Sequence, residues 1–183
     1  MILMKCDNYL SVIIDSLRIF YQNDYQLLDS ITNEMTITFR IAKYISEILE
    51  NDEYKIDCEY HGMIKNNMPV RKQYKSGTGS IRRIRPDIIF HKRSTQDYEG
   101  ENVFLIEVKK GSANGDIKKV QNAMKSLAYK KGYCITNIGK NYVTLIEFYK
   151  NDKYKKRRYK IVKQESNISL EELNNGKIKN GNS

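Results

Sequence analysis

Cysteine is scarce and scattered: Cys6, Cys58 and Cys134 are the three in 183 residues, and no CxxC pair occurs. An odd, widely spaced set supplies no disulfide framework and too few thiolates for a cysteine-ligated iron–sulfur cluster; it suits a reducing cytosol. All three are expected as small buried hydrophobes. Long apolar runs are also missing. The amino terminus, MILMKCDN, has its apolar stretch broken by Lys5 and Asp7, and no run of about eighteen apolar residues occurs anywhere. The expectation is a cytoplasmic protein, neither exported nor membrane-spanning. No Pro, Gly or Ser-rich linker divides the chain, whose length suits one domain with a core of its own. The GTG at 77–79 lacks the length and the following Lys-Ser/Thr of a nucleotide phosphate loop.

Charge, by contrast, is abundant and lopsided. Residues 1–60 hold 5 Lys/Arg against 11 Asp/Glu, residues 61–160 hold 24 against 8, and residues 161–183 hold 3 against 3, for a net of +10. A central segment this basic points to a polyanionic partner and a salt-sensitive affinity, although Lys-rich faces also serve solubility alone.

Periodicity divides the chain into helix, three strands, helix and further strands, an α/β pattern. An amphipathic helix is expected over 8–22, with Leu10, Ile13, Ile14, Leu17 and Phe20 on one side. A second covers 32–50, capped by Thr32 or Asn33, with Ile37, Ile41, Tyr44, Ile45 and Ile48 as its buried stripe and Glu34 in its first turn. Residues 54–60 alternate like a half-buried strand, with Asp57 and Glu59 on the polar side. His61, beside Gly62, and His91 read as surface hydrogen-bonding residues. Asp116 is expected to cap a helix from Ile117 to about Lys131, with Val120, Met124, Leu127 and Ala128 buried and Gly132 at its end. Strands follow at 133–137, 143–149 and 157–162, the last two as a hairpin with a basic, Tyr-containing tip. The chain is expected to form one domain over 1–165, with its core over 32–162; over 166–183 come a short helix at Ser169–Glu172, which has capping-box spacing, and a disordered end from Asn174.

The chemistry concentrates between Arg82 and Lys110. Two short apolar runs, Ile88–Phe90 and Val103–Ile106, read as paired strands joined by the polar segment 94–102. Pro86-Asp87 opens the first and Glu107-Val108-Lys109 closes the second. Side chains alternate along a strand, so Glu107 and Lys109 share one face and Val108 points into the opposite layer. Two carboxylates and an ammonium then converge, and two carboxylates suit Mg²⁺, which keeps several waters and takes substrate phosphate oxygens. A metal so held acidifies a water and neutralises a phosphoryl group, with a lysine to orient the water: phosphodiester hydrolysis. The plainer account makes Pro86-Asp87 a turn and Glu107/Lys109 a strand-end ion pair.

Pro86-Asp87, a spacer and Glu107-x-Lys109 on an apolar strand resemble the signature of the PD-(D/E)xK nuclease superfamily, and Glu34 stands where its members carry a Glu in the helix before the sheet. The resemblance runs from about Glu34 to Phe148 in order of elements and rests on four residues. It implies a restriction-endonuclease-like fold, three-layer α/β/α around a mixed central sheet with an αβββαβ core. It implies a nuclease, most readily a deoxyribonuclease, that uses Mg²⁺ or Mn²⁺ and leaves 5′-phosphate ends. Asp87 and Glu107 would be the metal ligands, Glu34 a further ligand or supporting carboxylate, and Lys109 the residue beside the water. A first-turn Glu also arises simply to complement the helix dipole.

Around this site Arg82, Arg83, Arg85, Lys110, Lys119 and Gln121 are the candidate nucleic-acid contacts, with Arg85, held extended by Pro86, as the preferred phosphate clamp. Basic residues from Lys65 to Arg85, set around Gly77 and Gly79, read as a substrate-gripping loop or a plain hairpin. Two further classes stay open: a nucleic-acid-binding or complex-assembly module that does not cut, and a basic face that recruits a partner protein. A single site that cuts duplex DNA often works as a pair, which leaves a homodimer open as well.

Overall fold

The computed structural model describes residues 8–29, 32–65, 68–76, 78–93, 101–112, 115–149, 153–164, 167–173 and 178–180. Helix α1 (Tyr9–Asn23) starts where the Asn8 side chain accepts from the Ser11 N–H, and Val12, Ile13, Leu17 and Phe20 go inside at helical spacing. A short 3₁₀ turn at Tyr25–Leu28 leads to α2 (Glu34–Leu49). Asn33 caps α2 by accepting from Met35 N at 3.1 Å, so Glu34 is the first helical residue. The Tyr44 hydroxyl donates to Asp24 at 2.6 Å and ties α2 to the end of α1.

Strand β1 (Tyr54–Cys58) is followed by two small hairpins, β2 (Gly62–Lys65) with β3 (Met68–Arg71), and β4 (Gln73–Lys75) with β5 (Ile81–Arg83). The chain then enters β6 (Ile88–Lys92), β7 (Asn102–Val108), α3 (Asp116–Ser126), β8 (Lys131–Thr136), β9 (Tyr142–Phe148), β10 (Lys153–Gln164), β11 (Asn167–Glu172) and β12 (Ile178–Asn180). The main sheet runs β1-β6-β7-β8-β9-β10-β11, with β12 along β10. Its pairs are antiparallel except β7–β8, which α3 connects as a crossover.

Alternation along the strands builds two cores. Phe90, Phe104, Ile106, Val108, Tyr133 and Ile135 face α1 and α2; Ile89, Leu105, Cys134, Ile146 and Phe148 face α3. With helices on both faces β7 is buried on both, which explains its unbroken VFLI run. Helix α3 lies so close to β8 that a Cβ on Gly132 would stand 2.6 Å from both Val120 Cγ1 and Met124 Sδ. Gly132 is therefore a strand residue chosen for close approach rather than the end of the helix, as its sequence position had suggested.

Several other expectations change. Helix α3 ends at Ser126, and Ala128 is exposed in a left-handed turn at φ 53° rather than part of the buried stripe. Ser169–Glu172 is not helical but belongs to β11, where Ile161 faces Leu170 across the pair and Leu170 is buried. Cross-strand bonding and the inward Leu170 outweigh a local capping-box spacing. The main sheet thus continues past 165, and the tail expected from Asn174 contains β12 at 178–180; its remaining residues lie outside the described set, as does Cys6. Cys58 is exposed while Cys134 is buried. His91 is buried, with Nε2 2.8 Å from Asp57 Oδ2, because β1 pairs with β6 and brings Asp57 to it, while the Tyr60 ring packs against its imidazole.

Candidate active site

The β6–β7 register places Ile88 opposite Ile106, so one step further Asp87 lies across from Glu107. Directly opposed residues of an antiparallel pair project to the same side, here the α3 side with Ile89 and Leu105. Asp87 accepts from the Val108 N–H through Oδ2 at 2.7 Å, which fixes its carboxyl against the end of β7. Burial pushes its pKa up, against the lowering effect of that bond and of Lys119 and Lys109.

Glu107 is the more unusual group. It is 1% exposed. Its Oε2 accepts from Lys119 Nζ at 2.5 Å, while Oε1 is buried without a hydrogen-bond partner. Burial foremost, then the neighbouring Asp87 charge, raises its pKa to about 8. An orphaned carboxylate oxygen beside a second carboxylate is costly unless a cation or proton satisfies it.

The lysine of the motif is held from another layer. Glu34 receives Lys109 Nζ on Oε1 at 2.7 Å and the Lys110 N–H on Oε2 at 3.0 Å, and the bond to Glu34 raises the Lys109 pKa. The carboxylates, Lys109 and the amino-terminal turns of α2 and α3 thus gather at the carboxyl end of β7. Asp116 is not a cap, since Gly115 takes that position. It stands in the first turn of α3, near enough to influence both Glu107 and Lys109.

Comparison of the chain with protein families, characterised proteins and solved structures finds no match. The site must therefore be judged on its own donors. Hard carboxylate oxygens, one of them buried and unpartnered, fit a divalent cation of the Mg²⁺ type, which needs only one or two protein carboxylates. Among the described residues no three His, Cys, Asp or Glu side chains form a metal-holding group. Both oxygens of Glu34 are occupied, by the Lys109 ammonium and the Lys110 N–H, which fits its reading as a supporting carboxylate.

The surrounding candidates are placed unevenly. Arg82 and Arg83 are exposed on β5, and Arg85 is exposed but paired with Glu59 Oε1 at 3.2 Å. Lys110 turns its ammonium to the Thr32 carbonyl at 3.3 Å. Lys119 is turned to Glu107 rather than outward, and Gln121 is buried on the inner side of α3, so neither lies on an open basic surface. Lys72, read only as one of several basic loop residues, is 3% exposed and donates to Tyr129 Oη at 2.8 Å and Asn102 Oδ1 at 3.1 Å. Its place among hairpin residues of alternating polarity gave no sign of burial. Among the described residues no helix is long and apolar enough to cross a membrane.

Proposed function

We propose that this chain is a divalent-metal-dependent nuclease of the PD-(D/E)xK type, with DNA as its preferred substrate. The observation that carries the reading is the Asp87–Glu107 pair: two inward carboxyls on neighbouring strands, one oxygen of Glu107 buried and unpartnered, with Lys109 at the same rim. With the hairpins β2–β3 and β4–β5 set aside as an insertion, the order α2-β1-β6-β7-α3-β8, helices on both faces of a mixed sheet, supports the αβββαβ core that the motif implies.

Bound between Asp87 and Glu107, Mg²⁺ or Mn²⁺ would acidify a water and offset charge on the phosphoryl group. The chain's own residues do the rest. The Val108 N–H orients Asp87, burial keeps Glu107 short of hydrogen bonds, and Glu34 holds the Lys109 ammonium cationic at the rim, where it can orient a water or receive a phosphate oxygen. Lys119 donates to the other oxygen of Glu107 and fixes the carboxyl in place.

The test incubates the protein with single-stranded, duplex and branched DNA and with RNA, in Mg²⁺ or Mn²⁺ and in EDTA. Metal-dependent scission lost in Asp87→Asn is expected. Binding without scission under every condition would instead favour a non-cleaving nucleic-acid module, the reading that the net charge of +10 supports by itself.

A further inference from the structure

A second feature lies just before Asp87 in the chain. The two hairpins and the segment entering β6 enclose a pocket of about 330 Å³ lined by His61, Arg71, Arg83, Ile84 and Arg85. Its walls are fixed by the main chain of Lys72, whose N–H donates to His61 O at 2.6 Å and whose carbonyl accepts from Ile84 N at 3.0 Å. The Lys72 side chain is in turn anchored below in Tyr129 and Asn102. Arg71, Ile84 and Arg85 are thereby presented from a braced frame. Three of its lining residues are arginines; Arg85 pairs with Glu59, while among the described residues Arg71 and Arg83 form no ion pair. Guanidinium forks match the oxygens of a phosphate in a way that single ammonium charges do not.

We infer that this pocket is a phosphate site, which grips a nucleic-acid strand beside the bond to be cut. Its position supports this: Arg85 is two residues before Asp87, and the Glu59 N–H donates to Asp87 O at 3.1 Å, so pocket and carboxylates share one strand end. The phosphate is either a terminal monoester or an internal diester, the same chemistry from two sources. The nucleic-acid identity of the ligand rests on the nuclease reading, so the test is run in EDTA, where binding is read without cutting.

Fluorescent duplex and single-stranded oligonucleotides, each with a 5′-phosphate or a 5′-hydroxyl, are titrated with wild type, the double variant Arg71→Ala/Arg83→Ala and the exposed control Lys160→Ala. The double variant is expected to bind about tenfold more weakly and to lower the slope of log affinity against log salt by about one. The control should keep both. Loss confined to the 5′-phosphorylated probes marks a terminal phosphate, and equal loss on all probes marks an internal one. Unchanged binding by the double variant, or the same loss in Lys160→Ala, overturns the pocket. Matching thermal melts exclude misfolding, since Arg71 and Arg83 are exposed. If wild type binds but never cuts when Mg²⁺ or Mn²⁺ is supplied, the nuclease reading fails while the pocket stands.

Discussion

Replacing Glu107 by Gln keeps the shape of a side chain that is 1% exposed while removing its charge, and the consequence depends on pH in a calculable way. The Glu107 carboxyl titrates near 8 in the fold against an ordinary 4.5, with burial as the main cause and Asp87 next. The folded state therefore holds this proton more tightly than the unfolded chain does. Its contribution is fully present below about pH 4.5 and is lost as pH rises through about 8. At ~1.4 kcal/mol per pH unit the loss is bounded at about 5 kcal/mol. Lys119, 2.5 Å from Oε2, already holds that value below what burial alone would give, and over the two units from about pH 5 to about pH 7 the expected loss is ~2–3 kcal/mol. Glu107→Gln does not titrate, so its stability relative to wild type should climb between about pH 5 and pH 8. In a chain of this length ~2–3 kcal/mol moves the melting temperature by roughly 5–10 °C. Thermal melts across this range in EDTA measure the gap. Adding millimolar Mg²⁺ should then raise the wild-type melting temperature more at about pH 8 than at about pH 6, and leave the variant unmoved. Parallel melting curves for the two proteins would refute the reasoning, because they would mean that Glu107 is charged and satisfied without any cation.

Lys109→Ala should cut metal-dependent scission by at least ~100-fold while leaving the Mg²⁺-induced rise in melting temperature in place; a fully active variant removes Lys109 from the mechanism. Gly132→Ala should cost ~1–3 kcal/mol in urea unfolding, because its methyl meets Val120 and Met124 at 2.6 Å, and an unchanged midpoint would show that α3 is free to shift. Burial holds the Lys72 ammonium down to about 8 from 10.5, so the unfolded chain binds that proton more tightly and stability from this group rises with pH across that window. Unfolding free energies of wild type minus Lys72→Met should therefore increase from about pH 8 to pH 10, and a flat difference would show that the lysine is not desolvated.

The sequence determined the helical stripes of α1 and α2, the pairing of β6 with β7 and the gathering of charged side chains at the end of β7, because each depends on residues a few positions apart. Alternation alone sent Glu107 to one face and Val108 to the other, and of the two cap candidates, Thr32 and Asn33, the structure uses Asn33. Local signals misled where a distant partner decided. Ser169–Glu172 has the spacing of a helix start, yet β10 offered a strand edge and a core place for Leu170. Gly132 reads as a helix stop until α3 is seen resting on it. Asp57 reads as a polar-side strand residue and His91 as a surface one, and only the β1–β6 pair brings them together. Lys119 and Lys72 are two cations among 32 in the sequence; one neutralises Glu107 and the other braces the arginine pocket. Those roles follow from contacts between segments 12 to 57 residues apart. Spacing along the chain encodes period and face, whereas the partner of a charge is set by which surfaces the collapsed fold brings together.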